Sequence, residues 1–275
     1  MSKPDLSELR ARYADIVLSR AGVEDAALRA AFARVEREKF LGPGPWRIAE
    51  TGAYRWSETA DASEVYIDAL VALDAARGVN NGEPSGHAGW IHALQLKPGE
   101  RVDHIGAGTG YYTAILAELV GPGGHVEAYE IDPDLAARAT ANLADRPNVE
   151  LRAVSGADRP LSPADAIYVN AGASKPLASW LDALRPGGRL VFPLTDSHGH
   201  GGMLKITRAE AGPWPARMIS GAAFIGLVGG GDEKEGAAVH DAFHRGGAAE
   251  VHWLRRDARK GRQDWLRGQG WRLTR

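Results

Sequence analysis

The sequence predicts an α/β fold built on a doubly wound, mostly parallel sheet, and three observations support this. Short apolar runs alternate with helical segments between residues 98 and 230. A glycine-rich turn directly follows the first of these runs and opens a helix. The chain has 275 residues, of which 44% are hydrophobic, so it can bury a sizeable core. Strands that alternate with helices form a parallel sheet through right-handed crossovers.

The composition excludes several classes of protein. With 25% charged residues and a formal net charge of −2, the chain is neither disordered nor fibrous. It contains no Cys, so disulfides, thiolate metal ligands and cysteine nucleophiles are excluded. The opening residues show no secretory signal, and no apolar run is long enough to span a membrane. We therefore expect a cytoplasmic protein with no membrane partner.

Residues 1–97 are predicted to form an N-terminal helical cap with an acceptor-side loop. Apolar residues at helical spacing indicate two helices between residues 2 and 40, separated by Gly22. Two Pro and two Gly exclude regular structure over residues 40–46. The following residues are predicted to be irregular and to end in a turn-rich stretch, residues 78–89.

Residues 98–230 are predicted to contain the α/β core. Its strands are expected at short apolar runs, over residues 101–106, 125–130, 148–154, 165–170 and 189–194. Its helices are expected over residues 111–119, from Asp132 onwards, and over 174–184. Asp132 suits an N-cap and Pro133 the first helical position. Arg-Pro-Gly-Gly after the last helix is a stop signal.

After Leu194 the alternation ends. Runs over residues 201–208 and 216–228 have no helix between them, so we expect antiparallel strands at the edge of the sheet. Residues 231–275 are predicted to hold a C-terminal helix, including residues 240–245, and a basic tail. The last 25 residues contain eight Arg or Lys, with three Trp interleaved.

The chemistry is predicted at the glycine-rich turn. Gly106, Gly108 and Gly110 let the chain reverse and bring backbone N–H groups against a ligand, where the helix N-terminus adds partial positive charge. Glu130 ends the second strand, where a carboxylate can accept both hydrogen bonds of a ribose diol. These features predict a bound nucleoside. Two alternatives remain: a tight turn that binds no ligand, and a dinucleotide site. Dinucleotide sites typically space their glycines as G-x-G-x-x-G, whereas this turn has G-x-G-x-G.

The stretch HIGAGTGYYTAILAELVG, followed by YEIDPDLA, resembles the S-adenosylmethionine-dependent methyltransferases. With DAIYVNAGA and LRPGGRLVFPL added, it resembles the protein-L-isoaspartate O-methyltransferase family. The likeness is strongest from Pro98 to Leu194, and VEREKF fits the early segment of that family. The segment VYIDALVALD looks closer to a divergent branch, which includes methyltransferases of ribosomally made peptides.

This resemblance implies a class I methyltransferase-like, Rossmann-like fold, with S-adenosyl-L-methionine as cofactor and S-adenosyl-L-homocysteine as product. It also implies a set of cofactor-binding residues: His104, Gly106, Ala107, Gly108, Thr109, Gly110, Tyr111, Glu130, Ile131, Gly156, Ala157 and Asn170. His104 stands where the family usually has an acid. Ser155-Gly156-Ala157-Asp158 replaces the usual Gly-Asp-Gly.

The acceptor site is predicted from the same resemblance, which implies a Ser ahead of the first core helix. The matching stretch, residues 81–87, retains Ser85, which suits a hydrogen bond to a carboxylate that needs no general base. His87 would act as base for an amine or hydroxyl acceptor. We therefore predict an enzyme that O-methylates a carboxylate of a peptide or protein. Small-molecule O- or N-methylation, or cofactor binding without catalysis, are the alternatives.

Two further patterns are interpreted without a ligand. His240 and His244 lie at i, i+4 spacing, as in the His-Glu-x-x-His motif of zinc proteases, but Asp241 stands where that motif has Glu. We therefore favour solvent-exposed helix histidines and expect no metal. The basic tail suits phosphates or an acidic peptide. Because the net charge is negative, we favour tryptophans that pack on the sheet edge. Amino methyltransferases of nucleic acids have two prolines and an aromatic residue after an Asn or Asp at this place, whereas Asn170 is followed by Ala, Gly and Ala. This difference also disfavours a nucleic-acid partner.

Overall fold

The computed structural model describes residues 5–49 and 52–275. These residues form two compact units. The first consists of the described parts of Met1–Gly99 with Ala107–Val126 and Asp132–Ala153, and the second of Glu100–Gly106, Glu127–Ile131 and Val154–Arg275. The predicted domain bounds, at residues 97 and 230, stay a prediction.

The first unit contains the N-terminal helices. Its helices are α1 (Leu6–Ala21), α2 (Ala26–Arg34), α3 (Arg37–Leu41), α4 (Pro84–Leu94), α5 (Tyr111–Val120) and α6 (Pro133–Asn142). Asp5 and Asp25 cap α1 and α2 by accepting backbone N–H groups, and Gly22 ends α1 with a φ of 64°. As predicted, Asp132 caps α6. The short helix α3 adds to the two helices expected before residue 40.

A small antiparallel sheet completes the first unit. It has the order β2-β1-β3-β4, formed by β1 (Arg47–Ala49), β2 (Tyr54–Trp56), β3 (Leu70–Asp74) and β4 (Val79–Asn80). The strand β7 (Val149–Arg152) also lies in this unit. The expectation of irregular structure here was wrong, because strands of two to five residues are too short to show an alternating pattern. The expected turn-rich stretch was also wrong from Pro84 onwards, where α4 begins.

The second unit is dominated by a large sheet. Its strands are β5 (Arg101–Ile105), β6 (His125–Tyr129), β8 (Ala164–Val169), β9 (Leu184–Thr195), β10 (His200–Thr207), β11 (Trp214–Ala223), β12 (Trp253–Arg255), β13 (Asp264–Gly268) and β14 (Trp271–Thr274). Their order is β13-β14-β12-β11-β10-β9-β8-β5-β6. Strands β5, β8 and β9 run parallel, whereas β9 to β11 and the last three strands pair antiparallel. This arrangement agrees with a parallel sheet that carries antiparallel edge strands.

Two helices of the second unit differ in length from the prediction. Helix α7 (Ala178–Ala183) is shorter than expected and is followed at once by β9, so Arg-Pro-Gly-Gly lies inside a strand. Helix α8 (Glu233–His244) begins earlier than expected, because Asp232 and Glu235 form a capping box. The tail after it forms strands, with Trp265 and Trp271 buried as predicted and Trp253 40% exposed. Within the described residues, no helix combines the length and apolar character needed to cross a membrane.

Candidate functional site

The glycine-rich turn connects β5 to α5. Gly106, Gly108 and Gly110 have φ angles of 77°, 58° and 96°, which residues with a side chain rarely adopt. A Cβ at Gly106 would lie 3.3 Å from the backbone of Asn170. The backbone conformation therefore requires glycine at the three positions on which the nucleoside prediction depends.

Backbone hydrogen bonds place the ends of three strands side by side. The Gly106 N–H donates to the carbonyl of Tyr129 at 2.9 Å, and the Asn170 N–H donates to the carbonyl of Ile105 at 2.8 Å. Glu130 directly follows Tyr129 and is 7% exposed. The structure thus brings together Gly106, Glu130 and Asn170, as expected for the carboxyl edge of an α/β sheet.

His104 is a fully buried, neutral side chain next to this edge. Burial lowers the pKa of His104 to about 3. The Asn170 side-chain amide Nδ2 lies 2.8 Å from its Nε2, and the ring stacks on Tyr168 with centroids 5.5 Å apart. The Asn170 Oδ1 atom is buried and has no hydrogen-bond partner among the described residues. An acceptor is therefore available there for a ligand donor.

Gly156 is held at the same edge. The indole Nε1 of Trp180 donates to the Gly156 carbonyl at 2.9 Å, and a Cβ at Gly156 would lie 2.8 Å from the Ile105 side chain. Ala157 follows, with its N–H donating to the Ser155 hydroxyl at 3.1 Å. Residues 155–158, which stand where the family has Gly-Asp-Gly, therefore lie close to Ile105.

The remaining predicted cofactor residues have different environments. The Thr109 carbonyl accepts from Asn142 Nδ2 at 2.9 Å, and Gly110 packs so closely that a Cβ would lie 2.8 Å from Leu143. Tyr111 is buried in an aromatic cluster, with its hydroxyl 3.3 Å from that of Tyr13. Ala107 is 6% exposed and Ile131 is 50% exposed. Ile131 therefore offers an apolar surface directly after Glu130.

The acceptor-side residues lie on α4 rather than in a loop. Ser85 and His87 occupy its first turn, where the Ser85 N–H donates to Asp68 Oδ1 at 2.8 Å. The buried His87 ring stacks on Tyr112 with centroids 3.7 Å apart. A Cβ at Gly82 would lie 2.2 Å from His87 Nε2. Gly82 therefore leaves the space that the imidazole fills.

Sequence reasoning missed two of these residues, Asp68 and Tyr112. Both occur inside segments quoted for the family likeness, VYIDALVALD and HIGAGTGYYTAILAELVG. The pattern alone gives neither residue a role, because the ring stacking and the cap at Ser85 arise from tertiary contacts. A single acidic residue between apolar residues, as at Asp68, is the one sequence feature that could have drawn attention.

A second buried acid, Asp103, lies on β5 beside His104. Burial raises the pKa of Asp103 to about 7, a shift that Arg101 opposes and Glu127 reinforces. Its carboxyl oxygens are buried and have no hydrogen-bond partner among the described residues. Arg101 itself forms an ion pair with Glu127. Because side chains alternate along a strand, Asp103 and His104 point to opposite faces of the sheet.

The predicted histidine pair lines a cavity of about 330 Å³ in the second unit. His240 Nδ1 lies 3.0 Å from Asp196 Oδ2, and the His240 and His244 rings have centroids 4.4 Å apart. His200 also lines this cavity. No set of three or more His, Asp or Glu in the described parts of the chain is arranged to hold a metal ion.

Known proteins resemble this chain over most of its length. A profile of the family described as protein-L-isoaspartate(D-aspartate) O-methyltransferase matches residues 16–232. The chain is 34% identical to a protein-L-isoaspartate O-methyltransferase of Methylorubrum populi, over 80% of this chain and 95% of the relative. It is 36% identical to the protein of that name from Methanopyrus kandleri, over 60% of this chain and 74% of the relative.

Two solved structures share the fold. One, a protein-L-isoaspartate O-methyltransferase, has a TM-score of 0.62 and 21% identity, and covers 86% of this chain and 69% of that one. The other, a β-aspartate methyltransferase of Plasmodium falciparum in complex with S-adenosyl-L-homocysteine, has a TM-score of 0.63 and 20% identity. It covers 80% of this chain and 98% of that one.

These matches confirm three predictions. The fold is that of the class I methyltransferases, with a mostly parallel sheet and antiparallel edge strands. The chain is an enzyme of the S-adenosylmethionine-dependent methyltransferase class. The family profile covers most of the sequence, and a relative more than 30% identical is matched over 95% of its own length. The chain therefore belongs to the protein-L-isoaspartate(D-aspartate) O-methyltransferase family.

Proposed function

We propose that this chain transfers the methyl group of S-adenosyl-L-methionine to a carboxylate oxygen of a peptide or protein. One observation carries the proposal. The hydrogen bond from Gly106 N–H to the Tyr129 carbonyl puts the glycine turn directly beside Glu130. A backbone turn and a carboxylate at adjacent strand ends suit an amino-acid group and a ribose on one ligand.

The residues at the strand ends fit this cofactor chemically. The buried Oδ1 of Asn170, which has no hydrogen-bond partner in the described parts of the chain, can accept a hydrogen bond from an ammonium group, and the Glu130 carboxylate can accept from a ribose diol. The exposed side chain of Ile131 provides an apolar face for an adenine ring. Gly156 and Ala157 would contact the base through backbone atoms. The other cofactor residues named above are proposed to line the same site, with Tyr111 supporting it from within the core.

Methyl transfer requires orientation more than covalent help from the protein. S-adenosyl-L-methionine supplies a methyl group that is already activated by a positively charged sulfur. The task of the chain is to hold the acceptor oxygen in line with the methyl carbon and the sulfur. A carboxylate is ionised at neutral pH, so no residue has to remove a proton. Ser85 is proposed to donate a hydrogen bond to the second carboxylate oxygen.

The acceptor is proposed to be a peptide or protein carboxylate because the relatives are named for such a substrate. An isoaspartyl carboxylate is the first one to test. His87 would act as a general base only if the acceptor is an amine or a hydroxyl, because such an acceptor must lose a proton. A cytoplasmic location stays a prediction.

A labelled-methyl assay tests the proposal. The protein would be incubated with methyl-labelled S-adenosyl-L-methionine and either a peptide with one L-isoaspartyl residue or the same peptide with aspartate. We expect label in the isoaspartyl peptide and its release as methanol in mild alkali, because esters hydrolyse readily. Label that resists alkali would indicate an amine or ether product instead. Cofactor binding without turnover on either peptide or on a wider peptide panel would indicate a binding protein.

The cofactor site is tested separately by calorimetry with S-adenosyl-L-homocysteine. Replacing Glu130 by Ala should raise the Kd between about tenfold and 100-fold, since hydrogen bonds to a charged group are lost. Glu150→Ala is the matched control, because the Glu150 side chain on β7 is 47% exposed. Equal affinity in the Glu130→Ala protein would move the ribose contact to another residue.

A further inference from the structure

We propose that Asp68 is a positioning residue for the methyl acceptor, and that Arg37 holds Asp68 in place. The sequence pattern alone predicts no site role for either residue. This inference rests on the proposed function, because it concerns the helix that carries Ser85 and His87. It is carried by a continuous set of hydrogen bonds within the first unit.

Asp68 caps α4 from outside that helix. The residue at the N-cap position, Glu83, makes no capping hydrogen bond with its side chain, and Pro84 has no N–H. The first free N–H of the helix is therefore that of Ser85, which donates to Asp68 Oδ1 at 2.8 Å. A residue 17 positions earlier thus supplies the cap that the local sequence lacks.

The second oxygen of Asp68 is also engaged. Arg20, on α1, donates from Nη1 to Asp68 Oδ2 at 3.2 Å. The Asp68 side chain is only 2% exposed, whereas that of Arg20 is 61% exposed. The carboxylate is therefore a fixed link between α1 and the N-terminus of α4. Its charge also raises the pKa of Glu83, although burial contributes more to that shift.

Arg37 fixes the backbone on both sides of Asp68. Its fully buried guanidinium donates from Nη1 to the carbonyls of Val65 and Ile67 at 2.6 and 2.5 Å. Its Nη2 donates to the carbonyl of Ala69 at 2.7 Å. Carbonyls on either side of Asp68 are thus held by one rigid, planar group, which an ammonium group could not replace.

The same guanidinium reaches the other end of the acceptor segment. Nη2 also donates to Asn81 Oδ1 at 3.0 Å, and Asn81 immediately precedes Gly82, whose open space the His87 ring fills. Arg37 therefore holds both segments that adjoin the first turn of α4, residues 65–69 and the residues around Asn81. Because methyl transfer depends on alignment, a displacement of this turn by 1 Å is expected to slow the reaction.

Amide hydrogen exchange on the wild-type protein gives the first test, independent of activity. Amides in the first turn of a helix usually lack partners and exchange quickly. We expect the Ser85 amide to exchange slowly, and to exchange faster in Asp68→Ala. Asp68→Asn keeps an oxygen that can accept from Ser85 and should restore protection. Fast exchange of Ser85 in the wild type would overturn the proposal.

Kinetics with the isoaspartyl peptide gives the second test. Asp68→Ala should lower kcat/KM for the peptide between about tenfold and 100-fold, with the Kd for S-adenosyl-L-homocysteine changed less than about twofold. Asp68→Asn should recover most of that loss. The matched control is Asp5→Ala, which removes a similar cap at 2.8 Å from α1. It should lower Tm and leave kcat/KM unchanged.

The outcomes separate this inference from the proposed function. If the wild type methylates the peptide and Asp68→Ala has the same kcat/KM as Asp5→Ala, the positioning role is wrong. A parallel loss of cofactor affinity in Asp68→Ala would also contradict it. If the wild type methylates no peptide, the proposed function fails, and the exchange of the Ser85 amide alone decides whether Asp68 positions α4.

Discussion

Asn170 and His104 are joined by a 2.8 Å contact between the amide Nδ2 and the imidazole Nε2. The amide nitrogen can only donate, so Nε2 accepts and the single proton of the neutral ring lies on Nδ1. This agrees with the pKa of His104, which burial lowers to about 3. A buried neutral ring thus takes the place of the acid that the family usually has on this strand.

The neighbouring residues Asp103 and His104 should have opposite effects on the pH dependence of stability. The lowered pKa of His104 stabilises the fold above about pH 6.5, and this stabilisation is lost as the pH falls towards 3. The raised pKa of Asp103 stabilises the fold below about pH 3.8, and this stabilisation is lost as the pH rises through 7. Between about pH 3.8 and 6.5, Asp103 and His104 together bind one proton in the native state and one in the unfolded state. The two effects should therefore cancel.

Replacing Asp103 by Asn should remove this cancellation. Relative to the wild type, the free energy of unfolding of the variant should fall by about 1.4 kcal/mol for each pH unit from pH 6.5 to 4. His104→Asn should show a difference of opposite sign. Urea denaturation at several pH values measures both. Parallel pH curves for Asp103→Asn and the wild type would show that Asp103 keeps its ordinary pKa.

Alanine substitutions in the glycine turn should lower stability to different extents. Gly110→Ala should lower the free energy of unfolding by about 3 kcal/mol, because φ is 96° and the new Cβ would lie 2.8 Å from Leu143. Gly108→Ala should cost about 1 kcal/mol, since φ is 58° and its Cβ would meet only Leu73, at 3.9 Å.

Gly123→Ala provides the control for both variants. A Cβ there would meet nothing within 4 Å, and Gly123 is not among the glycines with positive φ. Its stability should stay within about 0.5 kcal/mol of the wild type. Urea unfolding gives the three values. A Gly110→Ala protein as stable as Gly123→Ala would contradict the close packing against Leu143.

Trp180→Phe should weaken cofactor binding as well as stability. The substitution removes the indole N–H and leaves the buried Gly156 carbonyl without its donor, at a cost of about 1 to 3 kcal/mol. Trp265→Phe is the control, because its Nε1 donates to the Gly246 carbonyl at the same distance, 2.9 Å. Both should unfold at lower urea, but only Trp180→Phe should raise the Kd for S-adenosyl-L-homocysteine. Equal Kd values would exclude Gly156 from the cofactor site.

The basic tail should not bind nucleic acid strongly. Arg272 contacts Asp257 and Asp264 at 2.8 Å each, and Arg275 contacts Glu250 at 3.0 Å. Charges that are already paired release few counterions from phosphates, so affinity for RNA should be low. Titration of a single-stranded RNA oligonucleotide at low salt should give no saturable binding in the micromolar range. Steeply salt-dependent binding would contradict this prediction, because it would show that basic residues of the tail contact phosphates.

The parallel core could be predicted from the sequence because each strand and helix is encoded locally. Val102 and Ile105 supply the apolar positions of the first core strand, Asp132 caps a helix, and glycines occupy the three positions of positive φ in the turn. The small sheet of the first unit could not be predicted. Strands such as Arg47–Ala49 contain too few residues to show a period, and their pairing is set by contacts distant in sequence.

The amino-acid sequence by itself predicted a bound nucleoside, from the glycine turn and Glu130, because backbone conformation and residue type suffice for that interpretation. It indicated the class of the enzyme through its resemblance to the S-adenosylmethionine-dependent methyltransferases. Only the tertiary structure decided that Ser85 starts a helix and that Asp68 caps it. It also gave the buried His104 a neutral ring and the buried Asp103 a raised pKa. The physical reason is that desolvation and hydrogen bonding depend on groups far apart in the chain, which no local pattern records.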